Sequence, residues 1–149
     1  MRPFKTVWVS MVMVTGLGWS ALVLAQSPQD SDINLTGTWK GTRTTTGEAV
    51  QEYKIRSIKF ELVQKGESLS GSYQCYAGKK ATTDCANPVG KVTDGKFGDG
   101  QLKIDVQVYP NSYSCSFTGS VAGSKMSGRY SCYAGGTLSS IGVWKASRH

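Results

Sequence analysis

The sequence predicts an all-β fold, an antiparallel up-and-down meander that closes into an eight-stranded barrel with two disulfides. Short runs of alternating apolar and polar residues, separated by Gly, Asp, Asn and Ser, continue from about residue 35 to the end. One pair of runs has a hairpin register that brings two Cys face to face, and a ten-residue segment recurs in a second hairpin. Eight antiparallel strands can close into a barrel without exposed edges, and a flattened sandwich is the alternative.

Residues 1–25 have the pattern of a signal peptide. Two basic residues precede an uncharged, largely apolar stretch, and Val23 and Ala25 stand at the two positions that a signal peptidase reads. We therefore expect cleavage before Gln26 and a periplasmic or secreted mature protein. An uncleaved membrane anchor is the alternative.

The mature chain divides into a short arm and one domain. Residues 26–34 are polar and lack periodicity, so we expect a flexible N-terminal arm ahead of a barrel domain at 35–149. Removal of the signal peptide lowers the basic residues from 17 to 15 against 10 acidic ones, so the net charge falls from +7 to +5. The positive charges are scattered, so we do not expect nucleic-acid binding. Since cleavage removes the apolar segment, we do not expect insertion into a membrane afterwards.

Eight strands are predicted, in chain order 35–42, 53–64, 69–78, 89–97, 102–108, 113–122, 125–134 and 141–146. In the second strand the apolar alternation changes parity after Ile55, which predicts a β-bulge near Arg56-Ser57. The fourth strand is the weakest, because the turn signal Asp94-Gly95 interrupts it. In the fifth, Leu, Ile and Val alternate with charged and amide residues, as in a half-buried strand.

The clearest hairpin is the sixth and seventh strands. With Gly123-Ser124 as a two-residue loop, Cys115 faces Cys132 at a non-hydrogen-bonded position, where Cα atoms lie about 4.5 Å apart. That distance suits a disulfide. The same face carries three further pairs, Phe117 with Tyr130, Gly119 with Gly128 and Val121 with Met126.

The internal repeat assigns the other disulfide. The segment 69–78 repeats as 126–135, so Cys75 has in the third strand the position that Cys132 has in the seventh. Ile58 faces Cys75 across its own hairpin. Because no Cys lies opposite, Cys75 must pair elsewhere, and Cys85 closes the nearest loop. We predict Cys75–Cys85 and Cys115–Cys132, one of three possible connectivities, in an oxidising compartment. The absence of a C-x-x-C pair from the sequence disfavours zinc.

The opening of the first strand, Leu35-Thr-Gly-Thr-Trp39, resembles that of the avidin/streptavidin group and, more loosely, the Gly-x-Trp start of lipocalins. This resemblance implies a calycin-type barrel with a ligand-binding calyx. Biotin sites of that kind are walled by several Trp, and the mature chain has only Trp39 and Trp144, so the architecture carries over and the biotin site does not. The barrel is also similar to secreted bacterial inhibitors of metalloproteases, whose N-terminal arm enters the protease cleft.

The sequence offers little that could catalyse a reaction. A hydrolase triad needs a His that relays a proton, and the one His is His149, the last residue. Carboxylate pairs fall at predicted turns or strand ends. We therefore expect a non-catalytic binding protein without a cofactor or metal.

Two functions follow from these patterns. The first is a barrel that holds a small apolar or amphipathic ligand against Tyr73, Phe117 and Tyr130 on the inward face, where ordinary core packing is the alternative role. The inward Gly71, Gly119 and Gly128 would leave space for it. The second is a secreted inhibitor or interaction module that acts on an extracytoplasmic enzyme such as a protease. Such a module would engage the enzyme through its arm or loops, and Tyr76 and Tyr133, expected to face outward, are candidates for a protein-contact surface.

Overall fold

A computed structural model describes residues 33–46, 55–76, 85, 89–109 and 112–149. The predicted signal peptide at 1–25, and the predicted arm at 26–34 except for its last two residues, lie outside this part of the chain. Within it, no helix is long and apolar enough to cross a membrane.

Eight antiparallel strands form a closed barrel in sequence order, which confirms the predicted fold class. The strands are β1 (Gly37–Thr45), β2 (Ile55–Lys65), β3 (Ser68–Tyr76), β4 (Val89–Gly98), β5 (Gln101–Tyr109), β6 (Tyr113–Ala122), β7 (Lys125–Ala134) and β8 (Thr137–Arg148). Strand β8 pairs with β1 and closes the barrel. Closure gives every strand two neighbours, so no edge is left for pairing with another chain.

Both predicted disulfides are present. Cys115 pairs with Cys132 across β6 and β7, with Cα atoms 4.0 Å apart. Ile58 lies opposite Cys75 as predicted, and Cys75 is bonded to Cys85 with Cα atoms 5.2 Å apart. Because the strand ends that carry them lie together, both disulfides fasten the same end of the barrel.

The predicted bulge near Arg56-Ser57 is wrong. Strands β1 and β2 pair without interruption over this region. The apolar Ile55 faces outward and is 64% exposed. Arg56 lies opposite Arg43, and residues that face each other across a ladder share one face of the sheet. A charged residue therefore takes the inward place that the alternation had assigned to an apolar one.

The predicted turn at Asp94-Gly95 is also wrong. Strand β4 continues through these residues, with an irregular register between Val92 and Asp94. A side chain at Gly95 would lie 2.5 Å from a backbone oxygen of β3, so this Gly serves a close approach of two strands. The hairpin turn is Asp99-Gly100, whose φ angles of 51° and 69° suit a tight two-residue loop.

The end of the barrel opposite the disulfides is closed by the segment before β1. Leu35 is fully buried, and its amide donates a hydrogen bond to Oε1 of Gln64 at 2.7 Å. Nε1 of Trp39 donates to the Leu35 carbonyl at 2.9 Å. The guanidinium of Arg148 lies 4.9 Å from the centre of the Trp39 ring. These contacts hold the segment before β1 against this end of the barrel.

Candidate functional site

The three predicted ligand-binding residues meet inside the barrel. Tyr73, Phe117 and Tyr130 are 2%, 0% and 3% exposed. The ring of Phe117 lies 5.0 Å from that of Tyr73 and 5.9 Å from that of Tyr130, measured between centroids. These distances are those of rings in direct contact. The inward positions were predicted correctly, and the three side chains contact one another.

Two further rings, which the sequence analysis did not single out, complete this cluster. Phe60 lies 5.1 Å from Tyr73 and 5.2 Å from Phe117, and Trp144 lies 5.8 Å from Phe117. The Trp144 indole N–H donates to backbone oxygens of β6 and β7 at 3.2 and 3.0 Å. The regular alternation of β2 and β8 could have placed both residues inward. The central section of the barrel is thus occupied by rings of the chain itself.

The inward glycines do not leave space, which corrects a prediction. A Cβ at Gly71, Gly119 or Gly128 would lie 1.9, 2.1 or 1.9 Å from a backbone oxygen of the adjacent strand. Real Cβ atoms do not approach so closely, so these positions require Gly because neighbouring backbones nearly touch there. The glycines therefore allow the neighbouring strands to approach closely.

A buried cation lies between the aromatic cluster and the disulfide end. Arg43 is 1% exposed, and its Nη1 donates to Sγ of Cys132 at 3.0 Å. Its guanidinium carbon lies 4.9 Å from the centre of the Tyr130 ring. Burial lowers the pKa of Arg43, but the nearby phenol groups of Tyr73, Tyr113 and Tyr130 raise that pKa more, so it stays above its ordinary value. The side chain is therefore charged at every physiological pH.

Polar groups continue from Arg43 toward the disulfide end. The hydroxyls of Thr45 and Tyr130 share a hydrogen bond of 2.9 Å. Ser140 of β8 lies opposite Cys132 of β7 and is buried. Its hydroxyl has no hydrogen-bond partner among the described residues. The interior is therefore aromatic in the middle and polar toward the disulfides.

A groove of about 460 Å³ lies on the outside of the barrel. We name it the β6–β8 groove. Its outward-facing walls are Ser116, Thr118, Arg129, Ser131, Ile141 and Val143. Tyr130 also borders it, whereas Tyr73 and Phe117 do not. The shape of this groove is not apparent from the sequence, because its members alternate with core residues on three strands.

Apolar side chains extend the β6–β8 groove toward the disulfide end. Ile141 and Val143 are 42% and 48% exposed. Leu138, at 53%, faces Tyr133 across β7 and β8. Tyr133 and its repeat equivalent Tyr76 are 38% and 39% exposed, which confirms that both face outward.

Charge is distributed unevenly around the barrel. Strands β6, β7, β8 and β1 contain no Asp or Glu. Their outward cations are Lys40, Lys125, Arg129 and Lys145. The ion pairs among the described residues involve Lys59 and Lys103, which belong to β2 and β5. Among the described residues, the strands around the β6–β8 groove therefore carry cationic side chains and no carboxylate side chain.

The described residues include no cluster of three or more His, Cys, Asp or Glu side chains that could hold a metal ion. His149 is exposed, and its backbone amide donates to the Thr38 carbonyl at 2.9 Å. The sequence matches no protein-family model, and neither a curated protein nor a solved structure matches it.

Proposed function

We propose that this protein is a non-catalytic, exported protein-binding module, of the inhibitor or interaction type, that engages an extracytoplasmic enzyme through its outer surface. The observation that carries this proposal is the occupied interior. Phe117 is fully buried and within 5.9 Å, between centroids, of four other rings.

A ligand inside the barrel would have to displace these rings. Small-molecule sites are concave spaces of roughly 300–1,000 Å³ that enclose most of the ligand. Phe60, Tyr73 and Phe117 place three contacting rings at the centre of the barrel, and backbone atoms of the adjacent strand lie where a side chain at each inward glycine would begin. This packing favours a core role for Tyr73, Phe117 and Tyr130 over the ligand-binding role predicted for them.

Export is supported by two independent features. Disulfides persist in oxidising compartments, and both predicted bonds are formed. The signal-peptide pattern of residues 1–25 points to the same route. We propose a periplasmic or secreted location. The eight-stranded meander agrees with descent from calycin-type barrels, and the opening at Leu35–Trp39 is the sequence feature that supports this relationship.

Native mass spectrometry of the protein purified from its own compartment tests the proposal. We expect the mass of the processed chain, alone or with a protein bound to it. A small molecule retained at one per chain, and released on denaturation, would contradict the proposal.

A benzene titration followed by NMR provides the matched control. The wild-type protein should show no saturable binding, because its centre is filled. The Phe117→Ala variant opens an apolar cavity, which should bind benzene as engineered dry cavities do. Saturable binding to the wild-type interior would restore the small-ligand hypothesis.

A further inference from the structure

We infer that the partner docks in the β6–β8 groove and presents an acidic segment, in which a carboxylate binds Arg129 and a neighbouring apolar side chain packs on Ile141 and Val143. This inference rests on the proposed function, since it names the surface and the chemistry of the protein partner.

Arg129 supplies the charged contact. It projects outward from the middle of β7, with Thr118 opposite it on β6 and Val143 opposite it on β8. Arg129 forms no ion pair with any described residue. A guanidinium presents paired N–H groups that match the two oxygens of a carboxylate. The hydroxyls of Ser116, Thr118 and Ser131 can bind the flanking peptide groups.

The apolar contact lies beside the charged one. Val143 and Ile141 occupy successive outward positions of β8, on the far side of Arg129 from β6. Both are about half exposed, so burial against a partner would remove apolar surface from water. Interface centres are enriched in Arg and depleted of Asp and Glu, and the lining of the β6–β8 groove includes Arg129 and no carboxylate side chain.

The positive charge of the strands around the groove favours a partner segment that is acidic. The acidic residues of the described chain lie on β2, β4, β5 and their turns, and none lies on β6, β7, β8 or β1. Lys145 of β8, two residues from Val143, adds a further outward cation near the groove. A basic partner segment would be repelled here, and an acidic one would be attracted and oriented.

A protein fits this surface better than a nucleic acid does. Nucleic-acid sites track a polyphosphate with several clustered cations, and single-stranded sites add aromatic stacking platforms. The β6–β8 groove has one cation at its centre and aliphatic side chains next to it. That pairing suits one carboxylate followed by an apolar residue.

A displayed random-peptide library, selected on the full exported chain, tests this inference. Selected peptides are synthesised, and their dissociation constants are measured by calorimetry for the wild type, Arg129→Glu and Lys91→Glu. Lys91 is the matched control, because it is an exposed cation on β4, in the other half of the barrel. Amide chemical shifts in ¹⁵N-labelled protein locate the bound peptide, and a single-stranded DNA and a heparin fragment serve as polyanion probes.

We expect the library to yield acidic peptides that also contain an apolar residue. Their dissociation constants should rise about tenfold or more with Arg129→Glu and less than about twofold with Lys91→Glu. Shifts should centre on Arg129, Ser131 and Val143. Arg129→Gln removes the charge without reversing it and should also weaken binding. It serves as the milder substitution in case Arg129→Glu disturbs folding.

Several results would overturn the inference. These are a library that yields no peptide, peptides without acidic residues, equal losses for the two Glu variants, or tighter binding of either polyanion. Peptides that bind at the disulfide end would refute this surface while the proposed function stands. A small molecule retained in the interior would refute the proposed function itself.

Discussion

Truncation of Phe117 to Ala removes the ring at the centre of the barrel. The rings of Phe60, Tyr73, Tyr130 and Trp144 lie 5.0–5.9 Å from it, and none of its surface is exposed. A buried Phe→Ala change costs about 3–5 kcal/mol through lost transfer free energy and the cavity left behind. Because five rings hold each other in place, the site cannot collapse freely. We expect the free energy of unfolding to fall by about 4 kcal/mol.

Urea unfolding followed by Trp fluorescence measures this loss. The midpoint should fall by roughly 2 M with an unchanged slope, for a slope of about 2 kcal/mol per M. Thr118→Ala is the control, because Thr118 is the next residue on β6 and faces outward, so its loss should stay below about 0.5 kcal/mol. A loss below about 1.5 kcal/mol for Phe117→Ala would mean that the ring lies in a loosely filled space, and would refute the reasoning.

Three further predictions concern the close approach of two strands at Gly119, the Cys115–Cys132 disulfide and the Lys59–Glu61 ion pair. Gly119→Ala puts a methyl 2.1 Å from a backbone oxygen of β7, so calorimetry should show a loss of about 2 kcal/mol in unfolding free energy. Replacement of both Cys115 and Cys132 by Ala should cost about 3 kcal/mol in urea unfolding, because it frees a chain loop with a sequence separation of 17. The pKa of Glu61 lies below its ordinary 4.5, because Lys59 donates a hydrogen bond to the carboxylate and adds positive charge. A lowered pKa stabilises the fold above the ordinary pKa, and this contribution is lost as pH falls through the lowered value. Lys59→Met should therefore raise the Glu61 midpoint toward 4.5 in a ¹³C NMR titration.

Each of these has a matched comparison. Gly98→Ala is the control for Gly119→Ala, because its new methyl would meet no heavy atom closer than 3.7 Å. Equal costs at the two glycines would contradict the close strand approach. The disulfide prediction fails if the double variant unfolds at the wild-type urea concentration. The charge prediction fails if the Glu61 midpoint is the same with and without Lys59.

The hairpin of β6 and β7 could be predicted from the sequence because several independent constraints share one register. The Cys115–Cys132 pair, the apolar face with Phe117 and Tyr130, and the polar face all agree, and a slip of one residue would reverse every side chain. The internal repeat then gave Cys75 the strand position that Cys132 has in its own hairpin. A closed meander follows once eight such strands are counted, because closure is the simple way to remove the edges.

The wrong bulge at Arg56-Ser57 has a physical origin, because an alternating pattern treats polarity as a guide to burial. Arg56 takes an inward position opposite the buried Arg43, while the apolar Ile55 faces outward. The inward Gly119 was predicted to leave space inside the barrel. In the structure it lies where the backbones of β6 and β7 approach closely. The β6–β8 groove depends on how three strands curve relative to one another, which alternation does not encode.

The occupied centre of the barrel is tested most directly by measuring the ring contacts of Phe117 in the ligand-free protein. An aromatic NOESY spectrum reports which protons lie within about 5 Å of each other, so the occupied centre has a specific signature. We predict cross-peaks from the Phe117 ring to the rings of Phe60, Tyr73 and Trp144. Cross-peaks from Phe117 to water or to a retained small molecule, without those ring contacts, would contradict it.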